Sequence, residues 1–399
     1  MKKFHQHIKF GFVLGLMLLH ATLFAQINNS TLSDEININP NDSGKFAVQI
    51  TNLNYLRNTE YFNKIEVGRT LFGAQLHPRL SYQPNAFTTL QAGVFLRTDF
   101  GATPTINQII PTFSLKIKSK NYKRAFIFGT LEGALAHQLI EPLFDINSAI
   151  LRRIENGAQF KINTKNVWLD TWINWEKFIE RGSPYKEQFT VGVNLNVNIL
   201  QKIAIDLGTD SVMLNNPIIN HKNLKKYYAL KPVFQFTAHH RGGQIDADTS
   251  NMVMQFNGAL GMQYGFGKLN DYHVQAEMYG VFYKENTNSG YYPYRKGNGI
   301  FAHVSITKKA FTFAPSFWRG KGFIADRGTS IYQSVSVDKP GYTEKMRNLF
   351  FLRMFYTQKL APDLLLNVRF EPFLDMRSKA LDYSYSVYLS YRLNKTLSR

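Results

Sequence analysis

The chain has 399 residues, no cysteine and a formal net charge of +19. Without cysteine it has no disulfide bond, no thiolate metal site and no thiol nucleophile, so an exported form depends on a packed core or on strand closure for its stability. Its aromatic residues are 32 Phe, 21 Tyr and 4 Trp, a composition that favours pleated, half-buried strands.

The first 25 residues have the composition of a secretory signal peptide. Lys2, Lys3 and Lys9 supply a positive start, and residues 10–19 form an apolar core too short to span a bilayer. We expect cleavage after Ala25, which removes three lysines and leaves 374 residues with a net charge of +16. No later stretch approaches the roughly 18 consecutive apolar residues of a transmembrane helix, so only strands could carry the mature chain across a membrane.

Apolar and polar residues alternate along most of the mature chain. Apolar side chains occupy the odd positions of 189–199 and 383–393 and nearly all even positions of 252–266. Shorter rows of the same kind occupy 72–82, 300–306, 311–317 and 364–370. Each row gives a strand one apolar and one polar face. Several rows last about 10 residues, the length of a tilted strand that crosses hydrocarbon, whereas strands of soluble sheets average about 5–6.

The pattern predicts an all-β fold, a transmembrane antiparallel up-and-down β-barrel, because strands in lipid must close on themselves to pair every backbone group. A secreted soluble β-protein is the alternative. Short and long connections should alternate along the chain, and they do so except across 203–226. Treating that region as an extended strand end plus an insertion gives about 16 strands, with 14–18 as the range. The barrel should occupy 46–393, between a periplasmic segment at 26–45 and a periplasmic tail at 394–399.

The chain therefore resembles Gram-negative outer-membrane barrels, and porin-sized ones in particular. The resemblance rests on the signal ending Leu23-Phe24-Ala25, on the alternating strands over 46–393 and on the closing row Tyr383–Leu393. It implies an outer-membrane location, contact with membrane lipid and lipopolysaccharide, and insertion by the barrel assembly machinery. It also implies a homo-oligomer or a complex subunit as an option, no nucleic-acid partner and no cofactor.

Charged residues between the apolar rows should face the interior of the barrel. They are Arg79, Arg97, Glu132, Asp170, Glu176, Lys231, Glu277, Arg353, Arg369, Glu371 and Arg392. A barrel of about 16 strands can leave an aqueous channel, so we expect these residues to line a porin-like channel for passive diffusion of small hydrophilic solutes. The alternative is a barrel that does not transport, either a structural subunit of an outer-membrane complex or a hydrolase active at its rim.

Two sets of residues could carry chemistry. His239, Asp246 and Asp248 lie in one stretch at the outer end of a strand, where a histidine with two carboxylates could bind a divalent cation or act as an acid–base site. The same residues are also ordinary turn formers. His273, Glu277 and His303 could meet on neighbouring strands. No zinc or calcium spacing and no nucleotide-binding or common hydrolase motif occurs, so the sequence predicts no metal site and leaves an enzymatic activity open.

Overall fold

The computed structural model describes residues 29–205, 224–268, 271–287 and 289–397, which form one antiparallel barrel. Its strand segments are β1 Lys45–Glu60, β2 Thr70–Asn85, β3 Thr88–Asp99, β4 Gln108–Lys118, β5 Arg124–Thr130, β6 Asn156–Asn163, β7 Val167–Lys177, β8 Glu187–Val197, β9 Leu200–Ile205, β10 Leu224–Gly242, β11 Val253–Lys268, β12 Tyr272–Glu285, β13 Lys296–Lys308, β14 Phe311–Lys321, β15 Met346–Ala361, β16 Leu364–Phe370, β17 Phe373–Asp375 and β18 Ala380–Thr396.

Two strands of the wall are interrupted, so these segments build a barrel of 16 strands. β8 and β9 both pair with β10, one above the other, and therefore form one strand with a break. In the same way β16 and β17 both pair with β15 and with β18. The predicted 16-stranded antiparallel barrel is confirmed, and residues 206–223 of the expected insertion lie outside the described residues.

The wall closes through its first and last strands. β1 pairs with β2 on one side and with β18 on the other, and Tyr55 lies opposite Gly73 and Tyr388 in the two ladders. Closure pairs the strand edges, which would otherwise expose unpaired N–H and C=O groups to lipid. β18 continues to Thr396, so the barrel runs three residues beyond the predicted end at Leu393.

The outer surface is apolar, as a surface facing lipid must be. Leu260, Met278 and Phe311 are each about three-fifths exposed, at 65%, 59% and 65%, although they belong to regular strands. The residues next to them along each strand point inward and are polar or buried, as the alternation predicts. A closed barrel with an apolar outer band is the architecture of outer-membrane proteins. Within the described residues no helix is long and apolar enough to cross a membrane.

An N-terminal segment, residues 29–44, enters the barrel instead of remaining outside it. Leu32 and Ile36 are buried, and the carboxylate of Asp34 accepts a hydrogen bond of 2.8 Å from Arg79 on the inner face of β2. The backbone carbonyl of Ile36 accepts a hydrogen bond of 2.6 Å from the Lys116 side chain. The segment that sequence placed in the periplasm thus covers part of the lumen. The predicted signal peptide lies outside the described residues.

A second inward segment, the plug loop, comprises residues 131–155 between β5 and β6. It includes the short helix Ser148–Leu151. Its apolar side chains pack inside the barrel: Leu135, Phe144 and Ile150 are buried against Leu53 and Tyr388 of the wall. Since apolar side chains in an external loop would face water, burial inside the lumen is the favourable position for this sequence.

A third inward segment, the cover loop, comprises residues 322–345 between β14 and β15. Phe323 and Tyr332 of this loop are fully buried, and together with Ile140 and Leu143 of the plug loop they belong to the largest apolar cluster of the protein. The backbone N–H of Asp145 donates to the carbonyl of Arg327, which ties the two loops to each other. The main core of the molecule therefore lies in the lumen, where the two loops meet the wall.

Candidate functional site

The barrel wall has an opening on one side, toward its extracellular end. β5 and β6 contain only 7 and 8 residues, fewer than the roughly 9–11 of a strand that spans the hydrocarbon region. Their flanking strands β4 and β7 contain 11 residues each and continue upward without them. The side opening is thus the missing upper part of two strands.

Strand pairing defines the edges of the side opening. β4 pairs with β5 only over 114–118, so its upper half, 108–113, pairs with β3 alone. On the other side, β6 pairs with β7 only as far as Asn174. With neighbouring strands about 4.8 Å apart, three spacings separate β4 from β7 and give a gap roughly 14 Å wide. The plug loop leaves the wall at the base of this gap.

Behind the side opening lies a cavity of about 380 Å³, the side pocket. Apolar residues of the plug loop, among them Leu139, Leu143 and Phe144, form part of its lining. The wall contributes both Trp172, which is buried in the barrel, and Trp175, which is 42% exposed. Since the lining contains residues from both faces of β7, the side pocket reaches from the interior to the outer surface.

His137 of the plug loop fixes the inner end of the side pocket. Its Nδ1 lies 2.8 Å from Asp170 and its Nε2 lies 2.8 Å from Glu155, while its ring stacks on Trp172 with the centroids 3.5 Å apart. Burial lowers the pKa of His137, but the charges of Glu155 and Asp170 outweigh this effect and raise that pKa to about 9. His137 is therefore a cation at neutral pH, held between two carboxylates.

A second histidine, His239 of β10, lies in a relay of polar side chains. Thr190 donates a hydrogen bond of 2.6 Å to Glu176, and the Thr190 oxygen lies 3.1 Å from Nδ1 of His239. Because the hydroxyl proton points to Glu176, Nδ1 is the nitrogen that donates to Thr190. Nε2 is then the unprotonated nitrogen of neutral His239, and it lies 3.7 Å from Asp326 of the cover loop. This geometry is suited to acid–base chemistry.

An arginine and a tyrosine complete the His239 cluster. Arg327 contacts the carboxylate of Glu176, and Tyr292 donates a hydrogen bond of 2.5 Å to Asp326. Burial raises the pKa of Tyr292 above its ordinary value, with the charge of Asp326 acting in the same direction. Tyr292 therefore remains a hydrogen-bond donor throughout the neutral range.

An outer vestibule of about 1210 Å³ lies above the cluster, between the cover loop and the loops after β1 and β12. Asp326 and Tyr292 contribute to its lining. Leu151 and Arg152 line both this vestibule and the side pocket. The His239 cluster thus lies where an opening to the outside and an opening to the lipid face come together.

Sequence grouped His239 with Asp246 and Asp248, but the structure separates them. Asp246 accepts a hydrogen bond of 2.8 Å from Lys186, and Asp248 lies 3.3 Å from Arg241. Hydrogen bonds from Ser250 lower the pKa of Asp248. Both carboxylates stabilise the loop after β10. The carboxylates near His239 are instead Glu176 and Asp326, which come from distant parts of the chain.

The predicted interior charges lie inside the barrel, Glu132 in the plug loop and the others along the wall, and most are held by hydrogen bonds or ion pairs. Arg353 lies 2.5 Å from Glu141 of the plug loop and 3.6 Å from Glu371. Glu132 accepts from Lys116 at 2.5 Å and from Lys161 at 2.6 Å. The further contacts are Arg79 with Asp34, Arg97 with Asp99, Asp170 with His137 and Arg369 with Asn29. A pore-lining role for these residues stays a prediction.

The proposed meeting of His273, Glu277 and His303 is realised only in part. Glu277 and His303 are direct neighbours across β12 and β13. Nδ1 of His303 lies 2.7 Å from Ser316, and Glu277 accepts hydrogen bonds from Gln275 and Tyr279. His273 stacks on Tyr227 instead. Across the described parts of the chain, no three His, Asp or Glu side chains are grouped to hold a metal ion.

Sequence analysis missed the residues that loops bring to the site, namely Glu155, Asp326 and Arg327. No local pattern marks them, because their neighbours in the cluster lie up to about 150 positions away along the chain: Arg327 contacts Glu176 and Asp326 faces His239. The sequence does contain one signal of an inward loop. A segment rich in apolar residues at 139–150, without the two-residue period of a strand, indicates a loop that packs inward.

The comparisons with known proteins give one family. The model of the family described as "Lipid A 3'-O-deacylase-type" matches residues 38–399 of this chain. None of the curated protein sequences is significantly similar to the chain.

Solved structures with a similar fold are outer-membrane proteins. OprD from Pseudomonas aeruginosa is 12% identical with a TM-score of 0.49, and the match covers 90% of this chain and 97% of that one. OccAB4 from Acinetobacter baumannii is 9% identical with a TM-score of 0.44 and coverage of 89% and 100%. OmpT of Vibrio cholerae is 10% identical with a TM-score of 0.45 and coverage of 87% and 97%. These values are too low to support conclusions about function.

Proposed function

Because this chain belongs to the lipid A 3'-O-deacylase-type family, we propose that it is an outer-membrane hydrolase that removes an ester-linked acyl chain from lipid A. The observation that carries the proposal is the side opening. It connects the lipid-facing surface, near the extracellular ends of β4 and β7, with a cavity lined by apolar and ionisable side chains. Lipid A occupies the outer leaflet, so a substrate there can reach the cavity without leaving the membrane.

The two ends of the side pocket suit the two parts of an acyl ester. Leu139, Leu143 and Phe144 offer an apolar lining for the hydrocarbon chain. Glu176 and Thr190 bring the polar His239 relay to the same cavity. Pockets of this kind, mostly apolar with a few convergent polar groups, are typical of small-molecule sites.

His239 acts as the general base in this proposal. Its Nε2 takes a proton from water as the water oxygen adds to the ester carbonyl. The protonated His239 then returns the proton to the departing sugar oxygen, which leaves a free fatty acid and a hydroxyl on the lipid. Thr190 and Glu176 orient the ring through Nδ1, at 3.1 and 2.6 Å along the relay. Asp326, 3.7 Å from Nε2, favours the protonated form that the second step uses.

Substitution of His239 tests this assignment. His239→Asn keeps a polar side chain of similar reach but removes the base, so we expect the rate of fatty-acid release from lipid A to fall by about 10²- to 10⁴-fold. Asp246→Asn, which affects a carboxylate bound to Lys186 away from the cavity, should leave the rate near that of the wild type. Mass spectrometry of lipid A in vesicles with the refolded protein measures both. Equal rates for His239→Asn and the wild type would reject His239 as the base.

A diffusion channel is the second candidate function, favoured by the size of a 16-stranded barrel. The plug and cover loops argue against it, since their apolar core occupies the lumen. We expect no stable single-channel conductance from the wild type in planar bilayers, and stepwise conductance from a variant in which residues 134–151 are replaced by a short glycine-serine linker. Stable conductance of the intact protein would support the channel instead.

A further inference from the structure

The side pocket contains more basic side chains than its acidic residues can neutralise. Arg152, Arg153, Lys177 and Arg327 line it, together with the two carboxylates Glu155 and Glu176. Glu155 already lies 2.8 Å from protonated His137, and Glu176 contacts Arg327. The charge of Asp34 acts on Arg153, so among the described residues Arg152 is the guanidinium group at this cavity without a dedicated counter-charge.

Several guanidinium nitrogens have no partner among the described residues. Arg152 is exposed, and within the described part of the chain no hydrogen bond or ion pair engages its side chain. Nη1 of Arg153 and Nε of Arg327 are buried without a hydrogen bond to any described residue. Buried polar groups are nearly always hydrogen-bonded in native proteins, so each such nitrogen calls for an explanation.

Positive charge accumulates where the plug loop and the cover loop meet. Burial, with the nearby charge of Arg152, lowers the pKa of Arg327 to about 9, and burial lowers that of Arg153 to about 10. Both shifts reflect cations that the surrounding protein does not stabilise fully. An anion bound between Arg152 and Arg327 would reverse this effect for Arg327 and occupy its unpartnered Nε.

We propose that Arg152 and Arg327 form a binding subsite for a phosphate group carried by the lipid substrate. The inference rests on the proposed function and deepens it, since it selects phosphorylated acyl saccharides over their dephosphorylated forms. Guanidinium groups bind phosphate through paired, charge-assisted hydrogen bonds. Arg152 lines both the side pocket and the outer vestibule, so a phosphate on the sugar remains at the polar end of the site while the acyl chain enters the apolar part.

Paired lipid preparations test the subsite. The refolded protein is given vesicles that contain either phosphorylated lipid A or the same lipid A after phosphatase treatment. We expect the wild type to release fatty acid from the phosphorylated form about tenfold faster, the effect of one strong charge-assisted hydrogen bond. Arg152→Gln should bring the ratio of the two rates close to one. Arg181→Gln, an exposed arginine of the loop after β7 that does not line the side pocket, should keep the wild-type ratio.

Binding gives a readout that does not need turnover. Trp172 and Trp175 line the side pocket, so their fluorescence should report occupancy. We expect tighter binding of the phosphorylated lipid by the wild type, and the same affinity for both lipids in Arg152→Gln. Millimolar inorganic phosphate should weaken binding of the phosphorylated lipid if both use the same nitrogens. Equal affinity of the wild type for both preparations would overturn the subsite even if deacylation occurs, whereas selective binding without fatty-acid release would overturn the proposed reaction and keep the subsite.

Discussion

His137 shows how one protonation state can hold a plugged barrel together. Its pKa of about 9 in the folded protein lies above the ordinary value of 6.5. The stabilisation from its contacts with Glu155 and Asp170 is therefore fully present below about pH 6.5 and is lost as the pH rises through 9. We expect the temperature of barrel unfolding, followed by heat modifiability on gels, to fall over that range.

Substitution of His137 should remove this dependence. His137→Gln leaves Glu155 and the buried Asp170 without that cation, so the variant should unfold at a lower temperature at pH 6.5 and show a smaller decrease toward alkaline pH. His240→Gln is the matched control, because His240 stacks on Phe189 and lies outside the side pocket. A variant with the wild-type pH profile would contradict the assigned role of His137.

Sequence could place single residues on a face of the wall but could not give their partners. The alternation predicts Arg353 and Glu371 on the inner face, and both side chains are buried. The third member of that group, Glu141, is 212 positions from Arg353 and lies in a loop. For the same reason His239 was identified as a candidate but Asp326 was not, because the contact depends on how the cover loop folds.

The plug loop is an element held by charge as well as by apolar packing. Arg353 hydrogen-bonds Glu141 at 2.5 Å, and Arg57 donates a hydrogen bond of 2.8 Å to Asn147 of the same loop. Burial raises the pKa of Glu141, although the charge of Arg353 opposes this effect. The ionised form of Glu141 in the lumen therefore depends on the positive charge of Arg353.

Removal of Arg353 should release the plug loop. Arg353→Met leaves Glu141 and Glu371 without that cation, a change that costs about 3–5 kcal/mol for a buried ion pair that loses one partner. We expect faster cleavage of residues 131–155 by an added protease and an earlier unfolding transition. Arg319→Met, at an exposed position on β14, serves as the control. Equal protection of the plug loop in both variants would show that packing alone holds it.

At the level of elements, the alternation of apolar and polar residues predicts the strands but gives no information about how the loops fold. The rows at 189–199, 252–266 and 383–393 correspond to β8, β11 and β18. The short β5 and β6, which create the side opening, follow no sequence rule that we recognise. The plug loop has apolar residues without a two-residue period, so no strand is predicted there, and only packing against the wall reveals its position.

On the scale of the whole molecule, the barrel combines a lumen that inward segments occupy with an opening on one side. A barrel of 16 strands gives the wall, three inward segments fill its interior, and the missing upper parts of β5 and β6 expose one cavity toward lipid. The lumen core includes fully buried Trp318, Phe323 and Tyr332, so apolar side chains of the wall and of the cover loop pack against each other inside the barrel. This arrangement is suited to a reaction on a membrane lipid.

Release of fatty acid from lipid A by the purified mature protein is the measurement that tests this account most directly. The refolded barrel is placed in vesicles that contain lipid A, and mass spectrometry follows both the free fatty acid and the shortened lipid over time. We predict loss of one ester-linked acyl chain, with little release by His239→Asn. A correctly folded, heat-modifiable barrel that leaves lipid A intact would contradict the proposed hydrolase.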